Sequence, residues 1–259
     1  MGTLPFIKMH GLGNDYVFID CFQPETAAYI AKADLPAMAR YVSDRHFGVG
    51  SDGLVLIHPS KKADAQMRIF NADGSEAEMC GNAIRCVAKY LYENGLCKQL
   101  QMEIATLAGI RTLALSAVDG KVLQVKVNMG IPKITLDTIL CGTDPIGYTS
   151  VNMGNPHAVF FRDSIPASPA DTNVEFVRVR NKKELDVRVI ERGSGETLAC
   201  GTGACAASVA AMYHGLTERE VTVHLPGGDL HVVWKSDSSP VYMTGPATEV
   251  FRGELRVKE

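Results

Sequence analysis

One local pattern appears in both halves of this chain, and that repetition limits the possible folds more than any other feature. Asn71-Ala72-Asp73-Gly74-Ser75-Glu76-Ala77-Glu78-Met79-Cys80-Gly81-Asn82 is answered by Glu191-Arg192-Gly193-Ser194-Gly195-Glu196-Thr197-Leu198-Ala199-Cys200-Gly201-Thr202. In each, a polar, glycine-bearing loop leads to Cys-Gly-Asn/Thr and then to an Ala-rich apolar stretch closed by a glycine, Gly95 or Gly215. A second pair, Gly13-Asn14-Asp15-Tyr16 and Gly154-Asn155-Pro156-His157, precedes the cysteine units in the same order and opens an apolar, strand-like run. A repeat of this length exceeds a solenoid unit. It predicts two related domains with a site at their junction, and 259 residues suffice for two cores.

The local patterns fill in the elements. Short strands are expected at 5–9 and 16–20, and a helical stretch over 26–43 that Pro36 breaks or restarts. Further strands fall at 54–57, 66–70, 186–190, 221–225 and 230–234, and helices at 82–93 and 204–213. Over 121–128, Leu123, Val125 and Val127 alternate with Gln124, Lys126 and Asn128, which reads as a half-buried strand. Many strands beside few long helices indicate an α+β protein. The boundary is placed at Ser116–Gly120, giving halves 1–118 and 119–259, with the last residues packing back on the first half.

Composition removes several function classes. Apolar residues make up 46% and charged ones 21%, as in a packed globular protein rather than a disordered one. Net charge is −3 and no basic cluster exceeds Lys182-Lys183, against nucleic acid or an anionic membrane as partner. No run approaches eighteen apolar residues. Lys8, His10 and Asp15 interrupt the N-terminus, so a signal-peptide core is not expected and a cytoplasmic protein is. Seven cysteines, an odd number, do not suggest a disulfide framework. Cys80/Cys86 and Cys200/Cys205 lack the paired knuckle spacing of zinc sites, so no metal is expected.

The chemistry follows from where two of these cysteines stand. A helix start presents unpaired N–H groups and partial positive charge. Gly81 and Asn82 from one helix, with Gly201 and Thr202 from the other, could therefore surround a carboxylate with donors. The same position favours a thiolate on Cys80 or Cys200. One sulfur could then remove a proton from one face of a carbon while the other returns one to the opposite face, which inversion of a stereocentre requires. Cys86, Cys97, Cys141 and Cys205 read more simply as small buried hydrophobes. Asn14, Asn71, Asn155 and Asn173 each suit a turn; His157 suits a loop hydrogen bond or a base; Glu191-Arg192 is either a surface pair or part of the site.

Taken together and in order, these segments resemble the diaminopimelate epimerase family along nearly the whole chain. The residues that carry the resemblance are His10-Gly11-Leu12-Gly13-Asn14-Asp15, Phe70 to Ser75 running to Cys80-Gly81-Asn82, Gly154-Asn155-Pro156-His157, Asn173-Val174-Glu175-Phe176, and Glu191-Arg192-Gly193 running to Cys200-Gly201-Thr202-Gly203. The resemblance implies cofactor-independent interconversion of LL- and meso-diaminopimelate, which feeds lysine and peptidoglycan synthesis, with Cys80 and Cys200 as the acid/base pair. It implies that the backbones of Gly81, Asn82, Gly201 and Thr202 hold the carboxylate at the reacting centre. Asn14, Asn71, Asn155, Asn173, Glu191 and Arg192 would recognise substrate amino and carboxylate groups, Arg192 taking the distal carboxylate, and His157 would lie close to the pair. The implied fold is two mirrored α+β domains, each a mostly antiparallel sheet wrapped around a central helix, with the active site in the cleft between them. A homodimer is expected. One departure is Gly53, in a loop where some members carry a substrate-contacting Gln. The alternatives are a related racemase acting on another amino acid, a thiol redox or metal-binding protein, and a catalytically dead binding domain.

Overall fold

A computed structural model describes residues 2–141, 144–165, 172–192 and 195–257, with side chains at 140–141, 144 and 257 left aside. The chain forms two compact units, Met1–Val125 with Pro246–Glu259, and Lys126–Gly245.

The first unit is built from β1 (Gly2–Gly11), β2 (Asn14–Asp20), α1 (Pro24–Ile30), α2 (Leu35–Ser43), β3 (Gly53–His58), β4 (Ala65–Asn71), β5 (Glu76–Ala77), α3 (Gly81–Glu93), β6 (Gln101–Thr106) and β7 (Gly109–Val118). The expected helical stretch is two helices. Asp34 caps α2, its side chain accepting from the Ala37 amide, and Pro36 sits in the first turn, where its missing N–H costs nothing. Pairing runs β1–β2 antiparallel, β2–β3 parallel, β3–β4 antiparallel, β4–β6 parallel and β6–β7 antiparallel. Strand β18 (Thr248–Val257) completes the row, antiparallel to β1 with Gly2 opposite Val257. Helix α3 packs on β1, β2, β6 and β7, strands from both ends of that row, so the sheet wraps around it.

The second unit contains β9 (Lys133–Cys141), β10 (Asp144–Asn152), β11 (Pro156–Phe160), β12 (Asn173–Asn181), β13 (Glu184–Glu191), β14 (Gly195–Thr197), α4 (Gly201–Tyr213), β15 (Glu220–Leu225), β16 (Gly228–Val233) and β17 (Val241–Gly245). From β9 to β16 its pairing repeats the first unit's sequence of senses: antiparallel, antiparallel, parallel, antiparallel, parallel, antiparallel. Helix α4, nearly all Ala and other small or apolar residues, is buried on almost every side and takes the place of α3. Gly95 and Gly215 follow the two helices at φ 72° and 65°, the left-handed conformation that ends a helix with least strain in glycine.

Two expectations differ from the structure. The glycine-bearing break at 116–120 is a tight turn between β7 and β8 (Lys121–Gly130), with Asp119 and Gly120 at φ 50° and 74°, as a two-residue strand connection requires. The units divide later, inside β8. On β8 the buried residues are Val122, Val125, Val127 and Met129, while Leu123 is 54% exposed. The alternation slips by one residue between Val122 and Val125, so a strict period of two misassigns Leu123.

Candidate active site

Each cysteine is the residue before a helix. Cys80 precedes α3 with φ −135° and ψ 121°, and Cys200 precedes α4 with φ −119° and ψ 116°. Both helices are 13 residues long. By helix geometry the first amides of each helix have no acceptor within the helix.

In the first unit Cys80 is half-buried and Asn82 buried. Asn14, at the start of β2, brings Oδ1 to 3.6 Å from Cys80 Sγ and accepts from Asn82 Nδ2 at 3.2 Å. Asn14 Nδ2 donates to Asp52 at 2.8 Å, and the Asp15 amide donates to the same oxygen at 3.0 Å. Burial pushes the Asp52 carboxyl up. The Tyr16 hydroxyl stands 3.8 Å from Cys80 Sγ, and burial, then the Cys80 charge, raises the phenol. Asn71 is exposed at the end of β4 and gives Nδ2 to Ser75 at 3.0 Å within its own loop.

In the second unit Cys200 is 5% exposed. Its sulfur accepts from the Gly203 amide at 3.4 Å and lies 3.4 Å from Thr202 Oγ1. Asn155 Nδ2 donates to that Thr202 oxygen at 3.3 Å, and Asn155 Oδ1 lies 3.1 Å from His157 Nε2. His157 Nδ1 meets Glu175 Oε1 at 2.6 Å, with both side chains wholly buried. Asn173 accepts the Arg192 amide and donates to the Pro156 carbonyl, tying β11, β12 and the end of β13 together. Glu191 accepts from Thr197, and the Arg192 side chain is exposed. Gly193 and the Cys141 side chain lie outside the described residues. Burial, then the Glu191 charge, pushes the Cys200 thiol well up, against the pull of Thr202 and Gly203. The expected helix-start lowering is thus outweighed here by desolvation. Among the described residues no three His, Cys, Asp or Glu side chains gather in a way that could hold a metal ion, and no helix is long and apolar enough to cross a membrane.

The diaminopimelate epimerase family model matches residues 6–135 and 149–250. A diaminopimelate epimerase of Acetivibrio thermocellus is 47% identical, the match covering 98% of this chain and 99% of the relative. One from Desulfitobacterium hafniense is 48% identical over 97% and 98%, and one from Methanococcus maripaludis 45% over 98% and 100%. This chain belongs to the diaminopimelate epimerase family. Solved structures of lower identity share the fold. A hydroxyproline epimerase of Agrobacterium vitis, bound to trans-4-hydroxy-L-proline, matches with TM-score 0.74 at 14% identity, covering 98% of this chain and 92% of its own. A Bacillus anthracis phenazine biosynthesis protein of the PhzF family gives 0.72 at 17%, covering 99% and 100%.

In this diaminopimelate epimerase family member the structure groups Asn14, Cys80 and Asn82 in one unit, and Asn155, His157, Cys200 and Thr202 in the other. Sequence reasoning passed over Asp52, Tyr16 and Glu175. Glu175 had a usable signal: a charged residue inside the apolar run Asn173-Val174-Glu175-Phe176-Val177, all of it buried, must have a partner. Gly53 is explained sterically. A Cβ there would stand 2.1 Å from the Phe70 carbonyl oxygen and 2.9 Å from Tyr16, so this backbone admits no side chain at position 53.

Proposed function

We propose that this protein interconverts LL- and meso-diaminopimelate without a cofactor, one cysteine removing the α-proton as a thiolate and the other returning a proton as a thiol. The observation that carries the reading is the duplicated arrangement of a cysteine, a glycine and a 13-residue helix, with the same extended backbone at Cys80 and Cys200. Proton abstraction beside a carboxylate builds negative charge on both carbon and carboxylate. The first-turn amides of Gly81 and Asn82, and of Gly201 and Thr202, supply donors and the positive end of a helix dipole for that charge. Two proton carriers are needed because inversion delivers the proton to the face opposite the one it left.

In this reading Asn14, Asn71, Asn155, Asn173, Glu191 and Arg192 recognise the amino and carboxylate groups of the substrate. The exposed Arg192 guanidinium takes the distal carboxylate in a charge-assisted pair. The substrate is a small amino acid, the location is the cytoplasm, and the chain acts as a homodimer.

Proton exchange tests the reading. Reduced protein is incubated with LL-diaminopimelate in heavy water and the α-proton signal is followed by NMR, with C80A and C200A in parallel. The expected result is loss of that signal with appearance of the meso isomer, in the wild type only. A wild-type signal that persists, or a C80A or C200A variant that still epimerises, rejects the two-thiol mechanism on this substrate.

A further inference from the structure

Asn14 and Asn155 occupy equivalent points of the repeat, each leading into the second strand of its β1–β2 or β10–β11 pair, yet they are held by partners of opposite kind. Behind Asn14 stands the carboxylate of Asp52, which can only accept, so it takes the amide nitrogen and leaves Oδ1 toward Asn82 and Cys80. Behind Asn155 stands His157, backed by Glu175.

The protonation of that second pair follows from its burial. Both side chains are wholly buried, where an unbalanced negative charge is costly. The pair therefore carries one proton more than a carboxylate with a neutral imidazole, either as imidazolium and carboxylate or as imidazole and carboxylic acid. In both forms Nε2 bears hydrogen. It donates to Asn155 Oδ1, Asn155 gives Nδ2 to Thr202 Oγ1, and the Thr202 hydroxyl hydrogen is left for Cys200 Sγ, which also receives the Gly203 N–H.

We propose that the Glu175–His157 pair is a positioning device that fixes the Asn155 amide, and through it the Thr202 hydroxyl, so that Cys200 receives hydrogens whereas Cys80 directs its own toward Asn14. This rests on the reading of both cysteines as proton carriers. The carboxylates that act on Cys200 are Glu191 on β13 and Glu175 on β12, with His157 on β11 further back, behind Asn155; burial and the two carboxylates oppose its thiolate, and the two donated hydrogen bonds counter them in part. Cys80 accepts from the Tyr16 hydroxyl on β2, with Asp52 behind Asn14 and Cys86 on α3. The two sulfurs thus differ before substrate arrives: Cys80 gives its hydrogen to Asn14 while accepting from Tyr16, whereas Cys200 accepts from Thr202 and Gly203.

Two NMR measurements on the full chain, without substrate, test this. Long-range proton–nitrogen correlation on histidine-labelled protein, assigned with H157Q, should find the hydrogen on His157 Nε2, the nitrogen that faces Asn155 Oδ1. A cysteine β-carbon titration, assigned with C80A and C200A, should then move the Cys200 midpoint upward by about one pH unit in T202V, the size of one lost hydrogen bond. T202S should restore it, and Cys80 should not move. An unprotonated Nε2, or a Cys200 midpoint unchanged in folded T202V, overturns the proposal. Because neither measurement uses diaminopimelate, failure of the substrate reading would be seen separately, in the exchange assay.

Discussion

Gly203 lies so close to Glu175 that a methyl group on its Cα would stand 2.7 Å from the carboxylate oxygen Oε1. That oxygen is the one paired with His157. The same methyl would lie 3.3 Å from Cys200 Cβ and from Val189. G203A would favour an open helix, but here it should cost about 1–3 kcal/mol by overpacking. The expected outcome is a folded protein with a melting point lower by several degrees and a fall in kcat, read by calorimetry and the exchange assay. Unchanged activity and melting point would show that Glu175 has room to retreat.

Thiol labelling should separate the cysteines. Burial pushes the Cys21 and Cys86 thiols up to about 12. At pH 8 only about one part in ten thousand of each is thiolate. Brief treatment with iodoacetamide should therefore modify half-buried Cys80 first, with loss of activity, and leave Cys21 and Cys86 intact on peptide mapping. Labelling of Cys86 as fast as Cys80 would contradict the burial assigned to it.

Glu175 makes stability depend on pH in a definite sense. Burial raises its carboxyl, with His157 opposing. A raised folded-state value means that the folded form holds the proton more tightly. Its contribution is therefore fully present below the unfolded carboxylate value and lost as pH rises through the folded one. E175Q mimics the protonated form, so its melting point should improve relative to the wild type as pH is raised from about 4.5 through the raised folded-state value. A melting-point difference that stays constant across that range would argue against the shift.

Position 53 should tolerate nothing larger than glycine. In G53A the new methyl would meet the Phe70 carbonyl, a rigid backbone atom, so β3 and β4 must part where Gly53 faces Asn71. Chemical denaturation should show a loss of more than about 2 kcal/mol, at the upper end of overpacking costs. A neutral result would mean that the strand start adjusts freely.

What could be read from the sequence was local. The helices after Cys80 and Cys200 announce themselves by helical spacing and closing glycines within fifteen residues, and both cysteines stand where that pattern begins. The partners behind the cysteines are not local. Asp52 reaches Asn14 from 38 residues away, and Glu175 reaches His157 from the neighbouring parallel strand. Strand pairing, which brings such residues together, leaves no mark in either segment alone. Leu123 and the turn at Asp119-Gly120 were misread for a related reason. A slip in alternation and a tight turn resemble, in sequence, a regular strand and a linker.

The pairing of β18 with β1 has a consequence for the order of synthesis. Strand β1 leaves the ribosome well before β18, so the first unit cannot close its sheet until β18 has been made. The second unit, Lys126–Gly245, has all its strands as soon as Gly245 emerges. The unit encoded later is thus able to mature earlier, and the first unit waits, its edge at β1 open, for β18 to arrive.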